Sequence, residues 1–188
     1  MTIKIFIDQG HNPGNINAGA SGNGLEEQAV NFTVGSMLAD LLDNDPRFAV
    51  RTSRMYPQQV LGNTTTMSLQ TRVHMANYWD ADYFISIHSN SNTNPAINGS
   101  EVYVYRRDSQ AWYLGEDILS GIVENAGTRD NQVRVNPALY VLRATRMPAV
   151  LVELGYLSNS QDAQKLLDDP YSFAYGIYVG LLTYLNLL

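Results

Sequence analysis

The sequence predicts an α/β fold, with one mixed, mostly parallel six-stranded sheet covered by helices on both faces. Three observations carry that expectation. Six short apolar segments have the length and alternation of strands, and amphipathic segments of helical period lie between most of them. The chain of 188 residues with 45% hydrophobic content is also long enough to bury one self-sufficient core.

In chain order, Ile3 to Asp8 alternates around Lys4 and runs into the turn residues Gln9-Gly10, as a strand would. Glu27 to Leu42 places Val30, Val34, Leu38, Leu41 and Leu42 on one helical face. Ala49 to Thr52 is a second strand, followed by a polar loop from Ser53 to Thr66 and a helical stripe over Leu69 to Trp79. Ala81 to His88 is a strand that leads into Ser89 to Asn98, a loop dense in Asn and Ser with Pro95. Gly99 to Tyr105, Leu139 to Leu142 and Ala149 to Leu154 complete the strands, and Trp112 to Ala126 is a further helix. Asp169 and Pro170 read as N-cap and first helical residue, after which Phe173, Ile177, Leu181 and Leu185 recur on one side. No repeat or linker divides the chain, so residues 1–188 are expected to form one domain.

Composition excludes several function classes. There is no cysteine, which removes disulfides, thiolate metal sites and a cysteine nucleophile. A net charge of -6, with Lys4 and Lys165 the only lysines, does not suit a nucleic-acid binder, which needs clustered cations. The opening segment shows no basic stretch followed by a cleavable apolar one, so no export signal is expected in this chain. No run reaches the roughly 18 apolar residues of a membrane span. A monomer is expected.

The chemistry-bearing residues are few. His11 and His88 each sit just past an apolar strand, so parallel pairing of those strands would bring both imidazoles to one rim of the sheet, where open α/β sheets bind ligands. Glu26 or Glu27, at the start of a helix, could add a carboxylate; two His and one carboxylate leave a metal position open for water. On spacing alone, these histidines could equally be hydrogen-bonding residues. His74 falls inside a helical run and reads as a packing or surface residue. Glu26 reads as a complement to the helix dipole. Glu153 closes the apolar strand Pro148-Ala149-Val150-Leu151-Val152, where a carboxylate needs compensation; an arginine partner and a catalytic role are both open. The glycine-rich stretch from Gly10 to Gly24 lacks both the third glycine and the lysine of phosphate-binding loops and reads as a mobile loop.

Six ordered blocks go further. They are Ile7-Asp8-Gln9-Gly10-His11; Gly24-Leu25-Glu26-Glu27 with Asn31; Arg72 with Ala76-Asn77; Ala81 to Asn90; Gly99-Ser100-Glu101-Val102-Tyr103 with Leu139 to Arg143; and Met147 to Asn159. Together they resemble the catalytic domain of the N-acetylmuramoyl-L-alanine amidase family Amidase_3, along nearly the whole chain. The resemblance implies one Zn2+ held by His11, Glu27 and His88, with Glu153 as the catalytic carboxylate and Arg143 and Asn90 binding substrate. It further implies peptidoglycan as the partner and hydrolysis of the amide between N-acetylmuramic acid and L-alanine as the reaction, at the bacterial cell wall outside the membrane or in the periplasm. A chain without an export signal suits an endolysin, an enzyme released when a mother cell lyses, or a trimmed exported protein. Two departures stand out: Met55 to Met67 lacks the aspartate that the family usually carries there, and no wall-binding module is legible. Two other functions compete, a zinc peptidase cutting within the stem peptide and a wall-binding module without activity; the presence of all three ligand candidates and Glu153 disfavours the second.

Overall fold

The computed structural model describes residues 2–188. Its main sheet comprises β1 (Ile3–Gln9), β4 (Phe48–Thr52), β5 (Tyr83–Asn90), β6 (Ser100–Val104), β7 (Asp130–Val135) and β8 (Ala149–Tyr156), in the order β4-β1-β5-β8-β6-β7. β4, β1, β5 and β8 run parallel, β6 is antiparallel to β8, and β7 is parallel to β6. The expected α/β class and the six-stranded mixed sheet are therefore found.

Alternation along the strands divides two cores. Ile5, Ile7, Ile85, Ile87, Val102, Val104, Val150 and Val152 point to the side of α1 (Glu27–Asp43), α3 (Gln110–Ala126) and α6 (Pro170–Tyr184). Phe6, Phe84, Ala149 and Leu151 face the other way, onto α2 (Thr65–Trp79) and the short α4 (Tyr140–Ala144). The first side is held by a close crossing of α3 and α6: a Cβ at Gly121 would stand 2.2 Å from the carbonyl oxygen of Gly176, so only glycine permits the approach. Asp169 caps α6 as expected, accepting from the Ser172 amide.

Three expectations need correction. Leu139 to Leu142 is not a strand: Leu139 is the extended N-cap of α4, and its carbonyl accepts from the Leu142 and Arg143 amides. The sixth strand is instead Asp130–Val135, an exposed, largely polar edge strand whose hydrophobic pattern is too weak to announce it. The stretch read as a mobile loop contains a hairpin, β2 (Ser21–Gly22) against β3 (Leu25–Glu26), turned by Asn23 and Gly24 at φ 48 and 80. Its Asn23 side chain donates to the Leu157 carbonyl at 2.7 Å, which ties the hairpin to the end of β8.

One boundary and one further element also differ from the expectation. α2 begins at Thr65 because the Thr64 hydroxyl caps it by accepting from the Met67 amide. A short helix, α5 (Ser160–Asp168), follows β8, with Asn159 accepting from the Gln161 and Asp162 amides. No helix among the described residues is long and apolar enough to cross a membrane.

Candidate metal centre

The carboxyl ends of β1, β5 and β8 open into a cavity of about 540 Å³ on the α2 side of the sheet. Parallel pairing of β1 with β5 sets Gln9, the last residue of β1, opposite Ile87, so His11 just past β1 comes beside His88, the next residue of β5. His11 follows β1 in a left-handed conformation, φ 66, unusual for a residue with a Cβ and a mark of a functional constraint. That turn brings its ring to a T-shaped contact with His88, the centroids 4.8 Å apart.

Glu27, the first residue of α1, is buried between them. Its Oε1 lies 3.1 Å from His11 Nε2 and 3.0 Å from His88 Nδ1. The remaining lone pairs are also engaged: the Ser89 amide donates to Oε1 at 3.2 Å and the Ala20 amide to Oε2 at 2.8 Å. Burial pushes the Glu27 carboxyl up, but the hydrogen bonds and positive charge of His11 and His88 outweigh it and hold the group far below the usual carboxylate range. The Asn17 carbonyl sits 3.0 Å from His11 Nδ1, an acceptor that places a proton there, so that in the neutral ring the lone pair is on Nε2, the atom turned toward Glu27. One ligand atom from each of His11, Glu27 and His88 falls within 4.8 Å of the others. This donor set and the open cavity beside it fit a zinc ion with one exchangeable position.

Glu26, by contrast, is exposed and accepts from Gln28 Nε2, and His74 is exposed on α2 beside Tyr78. Glycine is required next to the trio. A Cβ at Gly19, where φ is 81, would lie 2.7 Å from Glu27 Oε2 and 2.8 Å from His11 Cγ.

Glu153 occupies the next strand at the same level. His88 is its partner across β5 and β8, and Glu101 is its partner across β8 and β6, so the three side chains form one rung. Glu153 Oε2 is enclosed without a hydrogen-bond partner, and among the described residues no cation stands within ion-pair distance of it. The arginine partner left open on the sequence is thus absent. Burial, then the charges of Glu27 and Glu101, raise its pKa well above the ordinary glutamate value.

Beneath the trio, Arg72 reaches up from α2 and donates to Asp8 Oδ1 and to the Gln9 carbonyl, each at 2.6 Å, and to the carbonyl of His11. Both partners of this ion pair are almost fully buried, and it fixes the strand end that carries His11. The sequence shows Asp8 and Arg72 only as motif letters; the signal for their role was a charged residue inside an otherwise apolar strand. The loop of Met55 to Met67 is tied to the same place, since Asn12 and Leu61 exchange hydrogen bonds at 3.0 and 3.2 Å.

Asn90 lines the cavity, whereas Arg143 does not. Arg143 lies in the last turn of α4, exposed, against a separate groove with Arg106 and Arg146, and its Nη1 donates to the carbonyls of Pro137 and Ala138. Its displacement follows from the correction above: a helix at Tyr140–Ala144 turns the side chain away from the rim where a strand end would have put it.

Two imidazoles and a carboxylate converging at the carboxyl edge of a mostly parallel sheet, with an unpaired carboxylate on the adjoining strand, define the donor pattern of a single-metal hydrolase centre. The chain belongs to the Amidase_3 family, N-acetylmuramoyl-L-alanine amidase, whose pattern matches residues 5–183. It is 38% identical over 185 residues to the N-acetylmuramoyl-L-alanine amidase LytC of Bacillus subtilis (strain 168), covering 96% of this chain and 35% of that protein. The amidase CwlM of Bacillus licheniformis is 35% identical over 188 residues, 98% of this chain and 70% of that one. Among solved structures, the catalytic domain of the amidase CwlV from Bacillus (Paenibacillus) polymyxa var. colistinus superposes with a TM-score of 0.87 at 30% identity, covering 100% of both chains. The chain thus spans about a third of the length of the Bacillus subtilis relative.

Proposed function

We propose that this chain is a zinc-dependent N-acetylmuramoyl-L-alanine amidase acting on peptidoglycan at the bacterial cell wall, with His11, Glu27 and His88 as the zinc ligands and Glu153 as the catalytic carboxylate. The observation that carries this reading is the rung: His88 of the ligand trio and the unpaired Glu153 are direct partners on adjacent strands, facing one cavity. Zinc held there supplies a Lewis acid that activates water and polarises the scissile carbonyl.

The protein's own groups do the rest. Asn17 and the Arg72–Asp8 pair hold His11 in its tautomer and place. Glu153 takes a proton from the attacking water, whose oxygen bonds to the lactyl carbonyl carbon, and delivers it to the L-alanine nitrogen as the C–N bond breaks. The products are a muramoyl carboxylate and a stem peptide with a free amine, with no covalent enzyme intermediate. Asn90 lines the same wall and is placed to touch the substrate.

A peptidase cutting within the stem would use the same groups, and the products separate the two. Purified peptidoglycan is digested with zinc-loaded and chelated protein and the fragments are identified by mass spectrometry. Intact stem peptides beginning with L-alanine, released only with zinc, are expected; shortened stems, or release unaffected by chelation, would overturn the proposal.

A further inference from the structure

Glu101, the third member of the rung, is a buried carboxylate that the proposed reaction does not use. Its Oε1 accepts from three side chains on three strands: Asn90 Nδ2 at 2.7 Å, and the hydroxyls of Tyr103 and Tyr156, each at 3.1 Å. Stability gives little reason for such a group, since buried charges are often replaceable by apolar residues without loss. On its outer side, Oε2 lies 3.1 Å from the Nε of Arg134, an ion-pair contact that lacks hydrogen-bond geometry.

Arg134 stands on edge strand β7, opposite Tyr103 and on the same face of the sheet as Glu101 and Glu153. Its Nε donates to the Asn131 carbonyl at 3.1 Å. With Nε held on two sides, the guanidinium is fixed at its inner edge, while its two terminal nitrogens make no hydrogen bond to any described residue. The side chain is 52% exposed. A planar fork with both ends unspent, held rather than floppy, is the geometry that takes a carboxylate bidentately.

Other cations near the cavity are spent or displaced. Arg72 is committed to Asp8 and to backbone carbonyls, and Arg143 lies outside the cavity with its Nη1 on the carbonyls of Pro137 and Ala138. Three carboxylates, Asp8, Glu27 and Glu153, line the cavity together with Arg72, His11 and His88, and these last three are committed to Asp8 and Glu27. Arg134 does not line the cavity itself; it stands beyond it on β7, in contact with Glu101, whose Oε1 accepts from the lining residue Asn90, so its unspent nitrogens can meet a carboxylate of a peptide that extends past the cavity along the rung.

We infer that Arg134 is a specificity residue that binds a carboxylate of the stem peptide, and that Glu101 is the positioning residue that holds it at the end of the catalytic rung. This rests on the proposed amidase activity. It assigns the enzyme a preference for stems whose second residue keeps its free α-carboxylate over stems in which that group is a carboxamide.

Steady-state kinetics on two soluble muramoyl-peptides, muramoyl-L-alanyl-D-glutamate and its carboxamide counterpart muramoyl-L-alanyl-D-isoglutamine, test the inference. The zinc-loaded parent should prefer the free acid by about tenfold or more in kcat/KM, the discrimination typical of one charged hydrogen-bonded pair. Arg134→Gln should bring the ratio to within about twofold of unity by raising KM for the acid, with kcat and melting temperature unchanged. Arg134→Lys should keep part of the preference, as a point charge without the fork. Glu101→Gln should lower the ratio too, whereas Arg143→Gln should leave it as in the parent. If Arg134→Gln slows both substrates equally, keeps the parent ratio, or the parent shows no preference, the assignment of Arg134 is overturned while the amidase reading stands. Cleavage of neither substrate by the parent overturns both.

Discussion

Replacing Glu153 by glutamine separates proton transfer from metal binding and from folding. The amide has the volume of the carboxyl but cannot take the water's proton, and loss of a general base costs about 10² to 10⁴ in rate, roughly 3 to 5 kcal/mol of barrier. Zinc content should stay at one equivalent, because His11, Glu27 and His88 are untouched. Folding should not suffer, since Glu153 Oε2 has no partner to lose. In the metal-free protein the change should stabilise, and increasingly so as pH rises. A carboxyl whose folded pKa is raised contributes fully below its unfolded value of about 4.3, and that contribution is lost as pH rises through the folded pKa. Burial first, then the charges of Glu27 and Glu101, give Glu153 that behaviour, and glutamine removes the loss. The assay is release of L-alanine-terminated peptides by mass spectrometry, with elemental analysis for zinc and melting curves of the chelated protein at acid and neutral pH. Turnover within tenfold of the parent, or loss of zinc from the variant, would refute the assignment of Glu153 as the base.

Further outcomes follow from the same geometry. Glu27→Gln and His88→Ala should each lose most of the bound zinc while Glu26→Gln retains it, read by elemental analysis; the reverse pattern at the two glutamates would move the ligand by one residue. Gly19→Ala, whose methyl would press on Glu27 and His11 at a φ that disfavours a side chain, should weaken zinc binding about 10-fold to 100-fold in a competition titration. Arg143→Lys should leave KM for a muramoyl-peptide unchanged, because the side chain does not reach the cavity; a raised KM would restore it to the substrate site. Asp8→Asn should cost about 3 to 5 kcal/mol, or roughly 6 to 20 °C in melting temperature, by leaving Arg72 buried without its counter-charge. Burial pushes Asp8 up, but the charge and hydrogen bond of Arg72 outweigh it and leave the carboxyl low. Its contribution is therefore present above about pH 4 and fades as pH falls, so the gap between variant and parent should narrow in acid. A gap independent of pH would mean that the pair contributes through packing alone.

The sequence by itself determined the α/β class, most of the strands and long helices, and the candidate residues His11, Glu27, His88 and Glu153. Alternation and helical period are local properties, and the central strands are buried on both faces, so their apolar runs stand out. The family blocks then chose Glu27 over Glu26 where spacing could not. Locality also explains the failures. Leu139 to Leu142 is apolar enough for a strand of four residues, yet only the packing of Val141 and Leu142 on the α2 side makes it a helix. Asp130–Val135 is polar because its side chains are largely exposed, and its pairing with β6 is visible only in three dimensions. The rung of His88, Glu153 and Glu101 joins residues distant in the chain through strand order and register, neither of which a single sequence encodes legibly. The Arg72–Asp8 pair and the held fork of Arg134 depend on the same long-range placement: the electrostatics of a buried charge are set by its neighbours in space, and the sheet decides who they are.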